Sequence, residues 1–426
     1  MRKPRVLVLA RNYPNNAFPT LGLWTERLVM ASSAVAQPTV VAPVPYAPPF
    51  VPLASIRRFR SVERVRTEAG IAVHHPRFAA GPGQLLHAFD AHIGHATLRK
   101  AIVALHRVQP FDLIHSHFIY PEGVIASRIG TELGIPVVST EHAMWRPWLD
   151  RHPAVRRQVE RALPRIARIT AVSEALRSSI RELFGDAVPV DVIPNVVDEH
   201  IFVAPRPDEV RDPQHLLFVG LIRRVKGLDV LIRALSHLLS DCPDLRLSVA
   251  GGSFYRAYER DAAEVRALVR ALGLQDRVTF LGEVPPAGVA ALMRRSALLV
   301  VPSRRETFSL VTAEALASGT PVVATRCGGP EEIITAETGE LADVDDAASL
   351  AVAIRSALGR SFDRGSLRRY AVDRFGVAAA AERLGLLYSR VAGVARSGAV
   401  GVHPNEVARR GTAPDHLESA TADGRL

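Results

Sequence analysis

Two carboxylates enclose the stretch "ETFSLVTAE", residues 306–314, where the apolar run "ALLVVPS" ends and an alanine-rich helical pattern begins. Glu306 precedes the helix start and can reach outward to a hydroxyl-rich group. Glu314 lies about a turn and a half inside, where a carboxylate suits bidentate acceptance from vicinal hydroxyls such as those of a ribose. Between them, Phe308, Ser309 and Leu310 fall where backbone N–H groups lack intrahelical partners and can donate to an anion. The stretch could hold a sugar at one end, phosphates in the middle and a ribose at the other. A helix-start acid followed by a solvated helical acid fits the same residues.

Two further loops point at phosphate. In "VGLIRRVKGLDVLIRAL" a strand ends at Gly220, and Lys226-Gly227 opens an amphipathic helix. Arg223, Arg224 and Lys226 would present fixed positive charge to a diphosphate beside a positive helix terminus. Gly251-Gly252, after another strand, would let a ligand approach the backbone closely. A solvated basic loop and a plain tight turn are the competing accounts. Lys226 stands out because Lys3 and Lys100 are the only other lysines among 53 basic residues.

The elements that must position these groups alternate. "RVLVLA", "TVVAPV", "GIAVHHP", "DLIHSHF", "PVVSTEH", "ARITAVS" and "VDVIPN" read as strands, with helical patterns over 22–36, 85–108, 121–133 and 154–167. After the proline-rich and charged stretch 203–214 the alternation restarts with "HLLFVG", "LRLSVAGG", "RVTFLG", "ALLVVPS" and "PVVATRC". This predicts an α/β protein with two doubly wound parallel sheets, Rossmann-like, facing each other across a cleft. The expected divisions are an N-terminal domain over 1–202, a linker over 203–213 and a C-terminal domain over 214–375. A helix over 376–396 would pack back towards the N-terminal domain, and 397–426 would form a disordered tail.

Composition sets the outer limits. A chain of 426 residues is long enough for two cores, and 48% hydrophobic against 23% charged residues excludes global disorder. The apolar run Val6–Ala10 is shorter than the ~7–15 residues of a signal-peptide core, and no run approaches the ~18 residues of a spanning helix. Cys242 and Cys327 carry no metal or redox spacing. A cytoplasmic protein with reduced thiols is expected. The net charge of +10 favours anionic partners, and residues 1–200 hold 24 basic against 16 acidic residues.

In combination, these blocks resemble glycosyltransferase family 4, a branch of the retaining glycosyltransferases of GT-B architecture. "PSRRETFSLVTAEALASGTPVVATRCGGPEEII" is similar to that family's E-x7-E block along its whole length, and "FVGLIRRVKGLDVLIRAL" to its phosphate-binding block. "AVSEALRSSI" with "VDVIPNVVDEHIF", and "FDLIHSHFIYPEGVIASRIGTELGIPVVSTEHA", resemble parts of its N-terminal domain. The resemblance covers about residues 5–390 and implies a hexosyltransferase that moves a sugar from a nucleoside diphosphate sugar with retention. It puts Glu306 on the donor sugar, Glu314 on the ribose and Lys226 on the diphosphate. His142 would reach the donor from the N-terminal domain, and Gly22 would lie near the β-phosphate and the acceptor. Two departures stand out. Leu221 occupies the position of a family arginine, so Arg223 or Arg224 must supply the second positive charge or it is missing, and Val196 replaces a loop glycine.

No D-x-D stretch is placed to hold Mg²⁺, so neither metal nor cofactor is expected. His115 and His117 on one strand, with His87, His92 and His95 nearby, lack a Cys or carboxylate to complete a metal set. His117, at a strand end facing the cleft, is a candidate acceptor contact. The expected partners are a nucleotide-sugar donor and a glycan or lipid-linked acceptor of cell-surface polysaccharide or glycolipid synthesis. Arg146, Arg151, Arg156, Arg157, Arg161, Arg165 and Arg168 suggest peripheral contact with an anionic membrane surface, or an ordinary solvated face. A nicotinamide-dependent dehydrogenase is disfavoured because the loop after the first strand, "LARNYPNNAFPTLG", lacks G-x-G-x-x-G. A GT-B epimerase or phosphorylase, and a non-catalytic nucleotide or nucleic-acid binding module, are the alternatives. The acidic pair argues against nucleic acid in the cleft.

Overall fold

Runs such as Arg5–Leu9 and Ser296–Val301 offer apolar side chains to both faces, and the structure buries nearly all of them, as parallel strands covered by helices require. The computed structural model describes residues 2–46, 58–78, 87–186, 188–206, 209–252 and 259–398. The first half contributes β1 (Arg5–Leu9), β2 (Gln37–Val41), β3 (Val44–Pro45), β4 (Val65–Glu68), β5 (Ile71–His74) and β6 (Arg77–Phe78). It continues with β7 (Leu113–His117), β8 (Val137–Glu141), β9 (Arg168–Ala171) and β10 (Val190–Val192). Eight of these form one sheet in the order β10-β9-β8-β7-β1-β2-β5-β4, and β3 pairs with β6. The sheet is parallel except at β4, which runs antiparallel to β5. The antiparallel edge strand is an addition to the expected parallel sheet. The hairpin turns through Ala69 and Gly70, both at positive φ, and β4 is solvated along its length, so it carries no apolar run to announce it.

The second sheet comprises β11 (Asp212–Val219), β12 (Arg246–Ala250), β13 (Val278–Gly282), β14 (Ser296–Val301), β15 (Val322–Thr325) and β16 (Gly339–Ala342). Its order is β13-β12-β11-β14-β15-β16, parallel throughout. In both sheets the strand order reverses beside the first strand, β1 against β7 and β11 against β14. Doubly wound sheets bind ligands at the carboxyl ends of the strands flanking such a reversal. The loops after β1, β7, β11 and β14 are therefore where chemistry is to be sought.

The stretch 203–214 is less independent than its composition suggests. β11 already starts at Asp212, and Glu209 forms an ion pair with Arg294 at 2.7 Å. At the junction of the two halves, Arg368 donates to the carbonyls of Phe202 (2.6 Å), Ala317 (2.9 Å) and Glu199 (3.2 Å). The last described helix, Val377–Gly398, buries Ala380, Leu384, Leu387, Tyr388 and Val391 against Val6, Val8 and Leu28 of the first sheet and its helix. The predicted tail beyond 398 lies outside the described residues. No described helix is long and apolar enough to cross a membrane.

Candidate functional site

The loops after β11 and β14 meet. Lys226 Nζ lies 2.5 Å from Glu306 Oε1, and Ser303 Oγ donates to the same oxygen at 2.8 Å. The Glu306 backbone is fixed as well, donating to the Cys327 carbonyl (3.1 Å) and accepting from Gly329 N (3.1 Å). A carboxylate held this way has one oxygen occupied and a settled orientation. Three residues later the chain enters the helix Leu310–Ala317 through Ser309, whose φ is 72°. The Ser309 hydroxyl pairs with Thr312 Oγ1 at 2.8 Å and makes no capping bond to the backbone. The helix N-terminus thus keeps its positive end uncapped by a side chain. Phe308 is core, its ring edge-on to Phe375 at 5.4 Å, so only its backbone is available to a ligand.

Glu314 is not a solvated helical acid. It is 9% exposed, and its Oε1 accepts from Arg27 Nη1 at 2.6 Å. Burial pushes its carboxyl upward, while the Arg27 guanidinium pulls it back down. Arg27 comes from the helix Leu23–Ser32 of the first half and stands over the Phe202 ring, 5.6 Å from its centroid. The pair borders a cavity of about 280 Å³ whose wall includes Leu221, Gly251, Gly252 and Glu283. The two glycines play different parts. A Cβ on Gly251 would stand 1.9 Å from the Gly220 carbonyl oxygen, whereas one on Gly252 would meet no described residue within 4 Å. Gly251 is therefore required by strand-to-strand packing, and Gly252 leaves the open space a ligand could use.

Arg223 and Arg224 are elsewhere. They border a different cavity of about 460 Å³, together with Asp229, Arg233 and Asp261, between the helices Leu228–Leu238 and Glu259–Ala271. Arg224 N donates to Asp261 Oδ2 at 2.9 Å. Neither lines the wall beside Leu221, where the resemblance asks for a second cation. Arg304 of the "PSRRET" loop is also committed, with bidentate bonds to Asp229 at 2.9 and 2.8 Å.

The facing half presents neutral rings. His115 and His117 end β7 and His142 follows β8, so neighbouring parallel strands bring them together. The ring of His117 stacks on His115 (4.8 Å) and on His142 (5.3 Å), and His117 Nδ1 is 3.0 Å from His142 Nε2. His115 is bonded to Tyr388 (2.7 Å) and to Thr140 (2.6 Å). Burial drives His115 and His142 down to about 3, and His117 well below its ordinary value. Asn195 partly offsets this for His142, although His142 Nδ1 has no hydrogen-bond partner in strict geometry. His117 is 1% exposed. It is sandwiched behind His142 instead of facing the cleft, so it supports His142 and does not touch an acceptor in this arrangement.

Glu141 anchors the loop that carries His142. Its carboxylate accepts from Ile119 N (2.9 Å), His142 N (2.8 Å) and Ala143 N (2.9 Å). Burial raises it to about 7 against the pull of these amides. Gly22 begins the helix that carries Arg27, at φ 74°, and a Cβ there would stand 2.2 Å from the Asn12 carbonyl oxygen. Only glycine fits that turn.

Further contacts join the halves. Glu332 accepts from Glu174 N (2.8 Å) and Ala175 N (2.7 Å), at the start of the helix Glu174–Phe184. Met144 approaches Gly328, which bridges to Glu306. Sequence reasoning missed Arg27, Glu141, Ser303 and Glu332. The one local signal was a cation in the apolar stretch "LWTERLVM" for Arg27.

Residues 67–200 match the family described as Glycosyltransferase Family 4, and residues 204–374 the family described as Glycosyl transferases group 1. A D-inositol 3-phosphate glycosyltransferase of Arthrobacter sp. (strain FB24) is 34% identical over 279 residues, 61% of this chain and 65% of that protein's length. The enzyme of the same name from Pseudarthrobacter chlorophenolicus is 31% identical over 329 residues, 72% of this chain and 77% of its own. The chain belongs to glycosyltransferase family 4. Among solved structures, this family 4 glycosyltransferase is similar to sucrose-phosphate synthase from Thermosynechococcus elongatus, with a TM-score of 0.71 and 22% identity over 92% of this chain and 100% of that one. It is also similar to Anabaena HepE in complex with UDP and glucose, with a TM-score of 0.69 and 19% identity over 91% of this chain and 100% of that one. These likenesses establish the GT-B fold.

Proposed function

We propose that this glycosyltransferase moves a hexose from a nucleoside diphosphate sugar to a glycan or lipid-linked acceptor of cell-surface polysaccharide or glycolipid synthesis, with retention at the anomeric carbon. The observation that carries the reading is the joining, at one strand-order reversal, of the Lys226–Glu306 pair, an uncapped helix N-terminus and a cavity bordered by Glu314. The ribose hydroxyls would bind Glu314, the diphosphate would lie on the amides around Ser309 beside Lys226, and the sugar would extend towards Glu306 and His142. HepE has been captured with UDP-glucose, which makes UDP-glucose the first donor to try.

Departure of the nucleoside diphosphate leaves an oxocarbenium-like sugar and extra negative charge on the β-phosphate. Lys226 and the helix N-terminus bind that charge better as it develops, which lowers the barrier. Glu306 is tied to Lys226 and Ser303, so it positions the sugar and is not assigned as a base or nucleophile. A front-face route follows, in which the leaving phosphate takes the acceptor proton. His142, neutral at physiological pH, contributes a hydrogen bond without adding charge. Lys226 and the helix N-terminus would do the work of a divalent metal, so transfer should be metal-independent.

Incubation with UDP-, GDP- and ADP-glucose, with and without EDTA, tests this reading, with the product anomer read by NMR coupling. Turnover of one donor, unaffected by EDTA and giving the donor's own anomeric configuration, is expected. An inverted product, or activity that vanishes in EDTA and returns with Mg²⁺, would overturn the corresponding part.

The names of the relatives favour a second acceptor, a soluble phosphorylated polyol such as D-inositol 3-phosphate. Competition between that compound and lipid-linked glycan for transfer distinguishes the two. For peripheral membrane contact, Arg156 is paired with Glu160 and Asp150, and Arg168 with Asp191. The Arg146 side chain lies outside the described residues. Arg157, Arg161 and Arg165 remain exposed, and modest, salt-sensitive flotation with anionic liposomes is the expected result.

A further inference from the structure

We propose that Arg27 binds the donor diphosphate from across the cleft, exchanging its ion pair with Glu314 for one with phosphate oxygens as the ribose takes the carboxylate. This rests on the reading of the cavity as the donor site.

The charge inventory of the cavity wall is the starting point. The described residues that line it include two carboxylates, Glu283 and Glu314, and a single cation, Arg27. Leu221, directly after Gly220, offers the wall an apolar side chain, while Arg223 and Arg224 line a cavity on the outer flank. Lys226 does not line this wall and is engaged by Glu306 at 2.5 Å. Among the described residues of this wall Arg27 is the one basic side chain, and it would meet the diphosphate from the side opposite Lys226's loop.

The ion pair explains why the exchange is coupled. Arg27 and Glu314 are each 9% exposed and joined through one N–H at 2.6 Å. A guanidinium has five donors in a fixed fork, so it can serve two acceptors in turn or together. Where the ribose hydroxyls turn the Glu314 carboxylate away from Arg27, the buried guanidinium loses its anion, which is strongly disfavoured. A nucleoside alone imposes that cost and offers nothing in return. A nucleoside diphosphate brings its own anion into the same cavity, and bidentate pairing of guanidinium with phosphate is the strong form of that contact. Arg27 thereby discriminates a diphosphate from its parent nucleoside. Because Arg27 and Glu314 belong to opposite halves, the same exchange loosens one cross-cleft contact and replaces it with another made through the ligand.

The test is isothermal calorimetry with UDP, GDP and ADP and their parent nucleosides, on the full chain. The proteins are wild type, Arg27→Gln, Arg27→Lys and the double variant Arg27→Gln with Leu221→Arg. For the diphosphate that binds wild type, Arg27→Gln should lose about tenfold or more in affinity, with nucleoside affinity unchanged or higher. Arg27→Lys should retain most of the discrimination, and Leu221→Arg, which restores a cation to the same wall, should recover it in the Gln background. Equal loss for diphosphate and nucleoside in both single variants would overturn the proposal and leave the donor reading intact. Failure of wild type to bind any of the three diphosphates would overturn both.

Discussion

The two halves share a topology and differ in how they keep polar groups at the carboxyl ends of their strands. The C-terminal half pairs charge with charge, as in Lys226–Glu306 and Arg304–Asp229. The N-terminal half buries uncharged imidazoles in a stack running from Tyr388 through His115 and His117 to His142. The difference follows from what each half faces. Fixed cations suit the leaving diphosphate, whose charge grows during reaction. Neutral rings can line the approach of a polar sugar without electrostatic commitment, at the cost of desolvating His115 and His117. The contrast predicts that charge changes in the C-terminal half mainly alter catalysis, whereas changes in the stack mainly alter stability.

The sharpest division comes from Lys226→Ala. Transfer should fall by roughly 10²–10³ in kcat, with little change in the unfolding midpoint, because Ser303 still holds Glu306. Steady-state kinetics beside a melting curve checks both halves of the statement. A large loss of stability with normal kcat would erase the contrast.

Tyr388→Phe probes the opposite side. It removes the hydroxyl bonded to His115 at 2.7 Å and leaves a buried ring nitrogen unsatisfied, which should cost about 1–3 kcal/mol. Urea unfolding reads that loss, and donor affinity measured on the same protein should stay unchanged.

Acid sharpens the comparison further. His115 is held at about 3 in the folded chain against an ordinary 6.5. Below 6.5 the unfolded chain binds a proton there that the folded chain does not, so stability is withdrawn as pH falls from 6.5 towards 3. Relative to His115→Gln, wild type should lose about 1.4 kcal/mol per pH unit across that window. Parallel pH profiles for the two proteins would show that the ring is not buried in its neutral form.

The smallest effect concerns the contact between the halves. Glu332→Ala leaves two amides of the helix Glu174–Phe184 without their carboxylate, worth ~1 kcal/mol by analogy with helix caps. The expected signature is a slightly lower melting temperature and a more open solution envelope by small-angle scattering. An unchanged envelope would mean that the remaining cross-cleft contacts suffice to hold the halves together.

What the sequence revealed divides along the same line. Lys226, Glu306, Glu314 and the glycines after β12 all follow strands of one sheet, where motif spacing and the strand-then-loop pattern coincide, so their placement along one sheet edge was readable. The solvated strand β4 had no apolar run to mark it, and β16 is only four residues long. Partners distant in sequence escaped altogether. Arg27 and Glu314 are 287 residues apart and His115 and Tyr388 are 273 apart, and no local pattern encodes such pairs. Arg223 and Arg224 misled for the converse reason. They looked available to the cleft because the helix Glu259–Ala271, which closes the outer cavity they line, could not be placed from sequence. His117 was placed at the cleft from its position at a strand end, whereas the stack with His115 and His142 buries it.

The central claim is that the cavity between the halves holds a nucleotide-sugar through Glu314. It is tested most directly by thermal unfolding of wild type and Glu314→Ala, each against its own unliganded midpoint, with UDP-, GDP- and ADP-glucose. One donor near 100 times its dissociation constant should raise the wild-type midpoint by on the order of 5–10 °C, and Glu314→Ala should lose most of that rise. No rise with any donor, or an equal rise in the variant, would contradict the account.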